Sequence, residues 1–127
     1  PKPGIVYKGA IPVAEIALNT SDKYLTILIS ALLGNAYKFT QEGTISLECD
    51  RLGDNRVFVA VADTGCGIPP EKHGYVFERF TKLDPFSQGN GLGLYLCRLI
   101  VTHLHGEIYI DSGYTGGTRI VAILPRR

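Results

Sequence analysis

The sequence of 127 residues contains no methionine and no tryptophan, and its charges nearly cancel, giving a net charge of +1. Such a balance provides no basic field to attract nucleic acid or an anionic membrane surface. No apolar run approaches the roughly 18 residues of a membrane-spanning helix, and no signal peptide is visible. We therefore expect no nucleic-acid partner and no direct membrane insertion. The missing methionine and the Pro-Lys-Pro-Gly start favour a single domain, residues 1–127, that is a piece of a larger protein.

Cysteine is scarce, with Cys49, Cys66 and Cys97 too few and too scattered for a CxxC site. Their odd number disfavours a disulfide scaffold, and no histidine is spaced to complete a metal set with them. The sequence thus predicts reduced thiols, as in a cytosolic protein, and no structural metal.

Hydrophobic periodicity divides the chain into mixed strands and helices. The predicted elements are strands at 4–8 and 12–19, a helix from Asp22 to about Thr40, strands at 44–50 and 55–63, a short helical turn near 75–80, a helix at 92–104, and strands at 105–112 and 117–125. The strand at 55–63 is apolar on both faces, which predicts a central position. We expect an α+β fold, a two-layer α/β sandwich whose mixed sheet of about five strands is covered on one face by about three helices.

Asn35 is the first polar residue that is unusual for its position. It follows Leu28 and Leu32 at helical spacing, which predicts that it lies on the apolar stripe, where an unpaired amide is costly. Lys38 and Phe39 follow it by three and four residues, on nearly the same side. An amide, an ammonium and a ring suit a nucleotide phosphate, its metal and a base. A backbone-capping Asn beside a surface-reaching Lys remains the simpler interpretation.

Asp63 ends the apolar strand VFVAVAD and is followed at once by TGCGIPP. Gly65 and Gly67 permit a turn with unusual backbone angles beside this carboxylate. A carboxylate there can accept a hydrogen bond from an exocyclic amine, or it can cap the turn; the residues alone leave both open.

The stretch SQGNGLGLYL places Gly89, Gly91 and Gly93 at alternate positions before a helix. It is not a dinucleotide fingerprint, because Leu94 stands where the third glycine belongs, and no Gly-Lys-Ser/Thr of a P-loop follows. Bare amides leading into a helix favour a phosphate, whereas a hinge without a ligand is the alternative.

Five segments in order resemble the catalytic, ATP-binding domain of bacterial sensor histidine kinases, within the superfamily of gyrase, Hsp90 and MutL. LLGNAYKFT is similar to the N box, DTGCGI to the first glycine box, and YVFERFTKLD to the F box. GNGLGL is similar to the second glycine box, and GYTGGTRIVAILP to the closing segment. The resemblance implies a Bergerat-type ATP-binding fold and a site for Mg²⁺ and ATP.

The resemblance also assigns roles to residues. Asn35 would hold Mg²⁺, Lys38 would contact a phosphate, and Asp63, supported by Thr118, would accept from the adenine amino group. Phe77 and Phe80 would anchor a lid, and Lys82 stands where many members carry an arginine for the γ-phosphate. The implied catalytic residues are Asn35, Lys38 and Lys82. The implied nucleotide site is Asn35, Lys38, Phe39, Asp63, Gly65, Gly67, Ile68, Phe80, Gln88, Gly89, Gly91, Leu92, Gly93, Leu94 and Thr118.

Ala31 occupies the position at which the hydrolysing members carry a glutamate that activates water. Its methyl group cannot act as a base, which favours a phosphotransferase that receives its nucleophile from another domain. The resemblance therefore implies transfer of the γ-phosphate to a histidine of a neighbouring dimerisation domain, a downstream response regulator or receiver domain, and a cytosolic location in a membrane-anchored sensor. None of His73, His103 and His105 lies in an acceptor context, so we expect surface residues there. A nucleotide-binding regulatory module with weak or no phosphotransfer is the alternative.

Overall fold

The computed structural model describes residues 5–8, 22–40, 42–74, 76–78 and 93–125. In chain order the elements are β1 (Ile5–Lys8), α1 (Asp22–Phe39), β2 (Gly43–Leu52), β3 (Arg56–Asp63), a 3₁₀ helix (Pro70–Lys72), α2 (Gly93–His103), β4 (Glu107–Ile110) and β5 (Thr118–Pro125). The strand predicted at 12–19 lies outside the described residues.

The five strands form one mixed sheet in the order β1-β2-β3-β5-β4. β1 runs parallel to β2, and the remaining neighbours are antiparallel. β3 is central, as its apolar character predicted, and its residues are buried on both faces. The register sets Asp63 opposite Ile45 on one side and opposite Thr118 on the other. The end of β3 is therefore enclosed by two neighbouring strands.

Both long helices contribute to one core with one face of the sheet. Every second residue of β3, from Val57 to Val61, lies in this core and is 2 % exposed or less. α1 adds Leu28 and Leu32, and α2 adds Cys97, none of them more than 1 % exposed. The α+β class and the layered sandwich are confirmed. The part of the chain that the structure describes holds two α-helices, one fewer than predicted.

Local differences from the predicted elements have simple causes. β2 continues through Arg51 and Leu52, which were predicted as turn, because both pair with the start of β3. A 3₁₀ helix that the sequence did not predict lies at Pro70–Lys72, where proline fixes φ for the first helical residue. Of the helical turn predicted near 75–80, the structure describes residues 76–78, which form turn and bend.

Candidate functional site

Asp63 is a buried carboxylate at the end of the central strand. Its residue is 4 % exposed, and its Oδ1 accepts a hydrogen bond from the Gly65 N–H at 2.9 Å. Burial raises the pKa of Asp63, while hydrogen bonds from the backbone of Gly65 and Thr118 act in the opposite direction. The carboxylate does cap its turn, which was one of the two interpretations open from the sequence. A carboxylate that only caps a turn does not need to be buried. The burial of the Asp63 carboxylate therefore keeps it a candidate for binding a ligand.

The turn after Asp63 lies directly against the end of α1. A Cβ on Gly65 would overlap the carbonyl oxygen of Phe39 and come within 2.9 Å of the Thr40 hydroxyl. The backbone N–H of Cys66 donates to the same Phe39 carbonyl at 3.4 Å. Position 65 thus requires glycine because the backbone of α1 comes too close for a side chain. Position 67 favours glycine for another reason: its φ of +77° is a left-handed conformation that residues with a side chain rarely adopt. The unusual backbone angle was expected at both glycines and is found at Gly67.

An open cleft of about 450 Å³ lies beside this turn. It is lined by Gly65, Cys66, Gly67, Ile68, Pro69, Gly116 and Gly117. Four of these seven residues are glycines, so much of the wall is bare backbone. Asp63 lies next to this wall, since it bonds Gly65 and since a Cβ on Gly117 would overlap the Asp63 carbonyl oxygen. A flat ligand can approach such a wall closely while a carboxylate meets its edge.

The polar residues of α1 lie at the margin of its buried stripe. The buried positions of the helix are Leu25, Leu28, Leu32 and Ala36. Asn35 lies beside this stripe and is half-buried, which corrects the expectation that it is on the stripe itself. Lys38 and Phe39 are half-buried too, and the Lys38 ammonium is 5.5 Å from the centre of the Phe39 ring. Because the Phe39 carbonyl meets Cys66, this end of α1 adjoins the cleft.

The other predicted residues divide into three groups. Ile68 lines the cleft, and Thr118 is 7 % exposed and paired with Asp63. Gly93 is exposed and is the first residue of α2. Leu94 and Phe77 are 8 % and 7 % exposed and belong to the core, and neither lines the cleft. Six predicted residues lie outside the described residues: Phe80, Lys82, Gln88, Gly89, Gly91 and Leu92.

The sequence did not predict that a second glycine-containing turn lines the cleft. Gly116 and Gly117 belong to the turn between β4 and β5, and Tyr114 of this turn donates its hydroxyl to the Asp63 carbonyl at 3.3 Å. Cys66 and Pro69, which lie beside predicted residues, also line the cleft. The paired glycines in GYTGGT were interpretable as a hairpin turn, but only the sheet register shows that this turn reaches Asp63.

His73 differs from its expected surface position. It is half-buried, and its Nε2 lies 2.8 Å from the carbonyl oxygen of Ile68, which is the acceptor. His103 and His105 are exposed, as expected. All three cysteines are free; Cys66 is exposed, whereas Cys49 and Cys97 are buried.

The described residues contain neither a cluster of metal-binding side chains nor a membrane-spanning helix. Within them, no three His, Cys, Asp or Glu side chains come close enough together to hold a metal ion. None of their helices has the length and apolar character needed to cross a membrane.

The family match and similar curated proteins all point to histidine kinases. Residues 20–127 match the family described as histidine kinase-, DNA gyrase B-, and HSP90-like ATPase. The chain is 38 % identical over 129 residues to hybrid signal transduction histidine kinase K of Dictyostelium discoideum, covering 89 % of this chain and 11 % of that protein. It is 41 % identical over 101 residues to the adaptive-response sensory kinase SasA of Gloeothece citriformis, covering 77 % of this chain and 26 % of that protein.

Solved structures share the fold. The mycobacterial sensor histidine kinase MprB matches with a TM-score of 0.83 and 23 % identity, over 99 % of this chain and 86 % of that one. Full-length ShkA, solved in complex with AMPPNP, matches with a TM-score of 0.80 and 26 % identity, over 96 % of this chain and 25 % of that one. The chain spans only a small part of the curated relatives, between about a tenth and a quarter of their length. It belongs to the histidine kinase-, DNA gyrase B- and HSP90-like ATPase family, as a catalytic domain of the sensor histidine kinase type.

Proposed function

We propose that this chain binds Mg·ATP and donates the γ-phosphate to a histidine of an adjacent dimerisation domain in two-component signalling. The observation that carries the proposal is a carboxylate, 4 % exposed, that adjoins an open cleft walled largely by glycine backbone. The complex of the related ShkA with AMPPNP, an ATP analogue, supports a nucleotide as the ligand.

The Asp63 end of the cleft suits an adenine ring. An ionised carboxylate only accepts hydrogen bonds, so it selects a ligand edge that carries N–H donors, such as the adenine amino group. The Gly65 N–H fixes Oδ1 at 2.9 Å and so orients the carboxylate. Thr118, paired with Asp63 and buried, supports that contact from the next strand. The glycine walls let the flat ring approach the backbone.

The phosphates would extend toward α1 and the start of α2. Asn35 and Lys38 are half-buried on the last turns of α1, which adjoins the cleft through Phe39. Lys38 supplies a positive charge for a phosphate oxygen. Gly93, the first residue of α2, lies where a helix start favours anions. In this proposal Phe80, Lys82, Gln88, Gly89, Gly91 and Leu92 complete the lid side, with Lys82 serving the γ-phosphate, whereas Leu94 packs in the core and anchors the start of α2.

The donor set suits a magnesium ion that arrives with the nucleotide. Among the described residues, no three acidic, histidine or cysteine groups lie close enough together to hold a metal ion. Mg²⁺ commonly keeps several waters and binds through few protein oxygens plus phosphates. The Asn35 side-chain oxygen would be the protein ligand. The bound ion would neutralise phosphate charge during transfer.

The reacting histidine would come from another domain. Ala31, half-buried on α1 and packed against the core, cannot activate water. The chain's role would be to position the nucleotide and stabilise its charge, as in other phosphoryl transfers. A response regulator or receiver domain would then accept the phosphate, and the domain would work in the cytosol as part of a membrane-anchored sensor.

Titration of the chain with ATP, with and without Mg²⁺, tests the nucleotide site. We expect saturable one-to-one binding that Mg²⁺ strengthens; no binding would overturn the proposal. Adding the dimerisation domain of the same protein and radiolabelled ATP should then give acid-labile, base-stable phosphohistidine. Binding without transfer would instead support the second candidate, a regulatory nucleotide-binding module, with which the absence of a water-activating group at Ala31 is equally compatible.

A further inference from the structure

We propose that Tyr114 and His73 are positioning residues that hold two backbone segments of the cleft wall, and so set how tightly the cleft binds adenine. Each reaches a backbone carbonyl with a side-chain donor, Tyr114 that of Asp63 and His73 that of Ile68. The inference rests on the proposed function, because it assigns these residues to the same nucleotide site.

The first wall is the turn between β4 and β5, which carries Gly116 and Gly117. Within the turn, the Asp111 carboxylate accepts from the Gly113 N–H and from Arg119, each at 3.0 Å. These bonds shape the turn itself. The Tyr114 hydroxyl connects it to the end of β3, across 51 residues of sequence. Removing that hydroxyl leaves the internal bonds of the turn and the pairing of Thr118 with Asp63 in place, and it removes the side-chain bond between the turn and the Asp63 carbonyl.

The second wall is the segment from Ile68 to Pro69, which also lines the cleft. The 3₁₀ helix that follows brings His73 back onto this segment, with the Lys72 N–H donating to the Pro69 carbonyl at 2.9 Å and the His73 N–H to Pro70 at 3.1 Å. At 2.8 Å, the contact from His73 Nε2 to the Ile68 carbonyl has the length of a strong hydrogen bond. It fixes the direction of the backbone where it borders the cleft.

The first wall consists of glycine backbone, and in the second wall Ile68 packs against the core while Pro69 is exposed. Among the described residues, neither wall has a side chain that reaches across the cleft from a neighbouring element, so the bonds from Tyr114 and His73 add to the sheet and core contacts that set the position of the backbone there. Rigid walls reduce the ordering cost of binding a planar ligand. Loss of either bond should weaken adenine binding without changing the phosphate contacts.

The test uses Tyr114→Phe and His73→Leu in the whole chain, each with a matched control. Tyr109→Phe removes a hydroxyl from an exposed tyrosine on β4, and His103→Leu replaces an exposed histidine on α2. We expect dissociation constants for ATP and ADP to rise together, by about 3- to 10-fold, the value of one hydrogen bond. The controls should change by less than about 2-fold, which is the lower limit for one hydrogen bond. His73→Gln returns an N–H donor and should restore part of the affinity.

Two readouts separate positioning from general destabilisation. The variants should unfold in urea in one cooperative transition, with only the small drop in midpoint expected from the loss of one part-buried hydrogen bond. Backbone ¹⁵N order parameters should fall at Gly116 and Gly117 in Tyr114→Phe and at Ile68 in His73→Leu. Unchanged affinity and unchanged order in a parent chain that binds ATP would overturn the inference alone. A loss of affinity for ATP but not ADP would also overturn it. No ATP binding by the parent would overturn the proposed function, and the inference with it.

Discussion

The Asp63 carboxylate and the Gly65 backbone form a closed pair, in which Oδ1 accepts the N–H of the residue two positions on at 2.9 Å. The bond fixes the plane of a carboxylate that is otherwise buried between two strands. In the proposed site this fixed carboxylate would accept from the ligand, and substitution by asparagine can separate the effect of its charge from that of its shape.

Asp63→Asn keeps the shape and the oxygen that accepts from Gly65, but it removes the negative charge. A hydrogen bond to a charged group contributes about 1.5–3 kcal/mol, so we expect ATP affinity to fall by about 10- to 150-fold. Stability at neutral pH should be unchanged or slightly higher, because a buried charge is removed. Asp54→Asn, at an exposed hairpin turn, is the control. Calorimetric titration and urea unfolding measure both; unchanged affinity would contradict the adenine assignment.

The raised pKa of Asp63 predicts how stability depends on pH. The folded-state pKa lies above the unfolded value of 3.8, chiefly because of burial. Between the two values the folded chain binds more protons, so stability falls as pH rises through this window. Above this pH window, the ionised and buried side chain lowers the free energy of unfolding. Urea unfolding of the parent and of Asp63→Asn from pH 7 downward should show the parent gaining stability relative to the variant. A constant difference would contradict the raised pKa.

Protonation of Asp63 should raise the stability of the chain but lower its affinity for ATP. A protonated Asp63 is a poorer acceptor for an amine, so ATP affinity should fall as pH drops toward the folded-state pKa. The loss of affinity should begin at a higher pH than it would for an ordinary aspartate, whose pKa is near 3.8. If ATP affinity stayed constant down to the pH range in which an ordinary aspartate is protonated, this prediction would be contradicted.

The sequence predicted the parts of the site that carry local signals. Asp63, Gly65 and Gly67 were visible because a buried strand ends in a charge and then in glycines. The central place of β3 followed from its apolar residues on both faces. Contacts between distant segments leave no such signal: the Tyr114 hydroxyl meets Asp63 across 51 residues. Asn35 was predicted to lie on the buried stripe of α1, but the buried residue at that point is Ala36, and Asn35 lies beside it. Helical spacing alone does not distinguish the centre of a buried stripe from its margin.

The three cysteines should differ sharply in reactivity. Burial raises the pKa of Cys49 to about 11, with Asp50 adding to the effect, and burial raises that of Cys97 to about 12. The thiolate is the reactive form, so both should be inert in the folded chain. Cys66 is exposed and lines the cleft. We expect a disulfide reagent to label one thiol quickly, identified as Cys66 by peptide mapping.

Bound ATP should slow this labelling, because the nucleotide would cover the cleft wall that carries Cys66. Cys66→Ser should abolish the fast phase and still bind ATP. Fast labelling of all three thiols would contradict the burial of Cys49 and Cys97. Labelling of Cys66 that saturating ATP leaves unchanged would place the nucleotide elsewhere.

Gly65→Ala should damage the site through contact with α1. The added Cβ would overlap the Phe39 carbonyl oxygen, which is backbone and cannot rotate away. Overpacking of this kind costs about 1–3 kcal/mol of stability, and the turn should shift away from the helix. Gly74→Ala, where a Cβ meets nothing within 4 Å, is the control. Urea unfolding and ATP titration should show losses in Gly65→Ala alone; equal behaviour of the two variants would contradict the close approach.

Asn35 provides the sharpest test of the magnesium assignment. Asn35→Ala removes the side-chain oxygen from a half-buried position at the margin of the α1 stripe, so stability should change by less than about 1 kcal/mol. If Asn35 binds the ion that accompanies the phosphates, the parent should bind ATP more tightly with Mg²⁺ than without. In the variant this ratio should approach one, while affinity without Mg²⁺ stays near that of the parent. Asn55→Ala, in the exposed β2–β3 turn, should behave as the parent does. A variant that keeps the full effect of Mg²⁺ would show that the ion is held by other groups, and a variant that loses affinity equally with and without Mg²⁺ would give Asn35 a role toward the nucleotide itself.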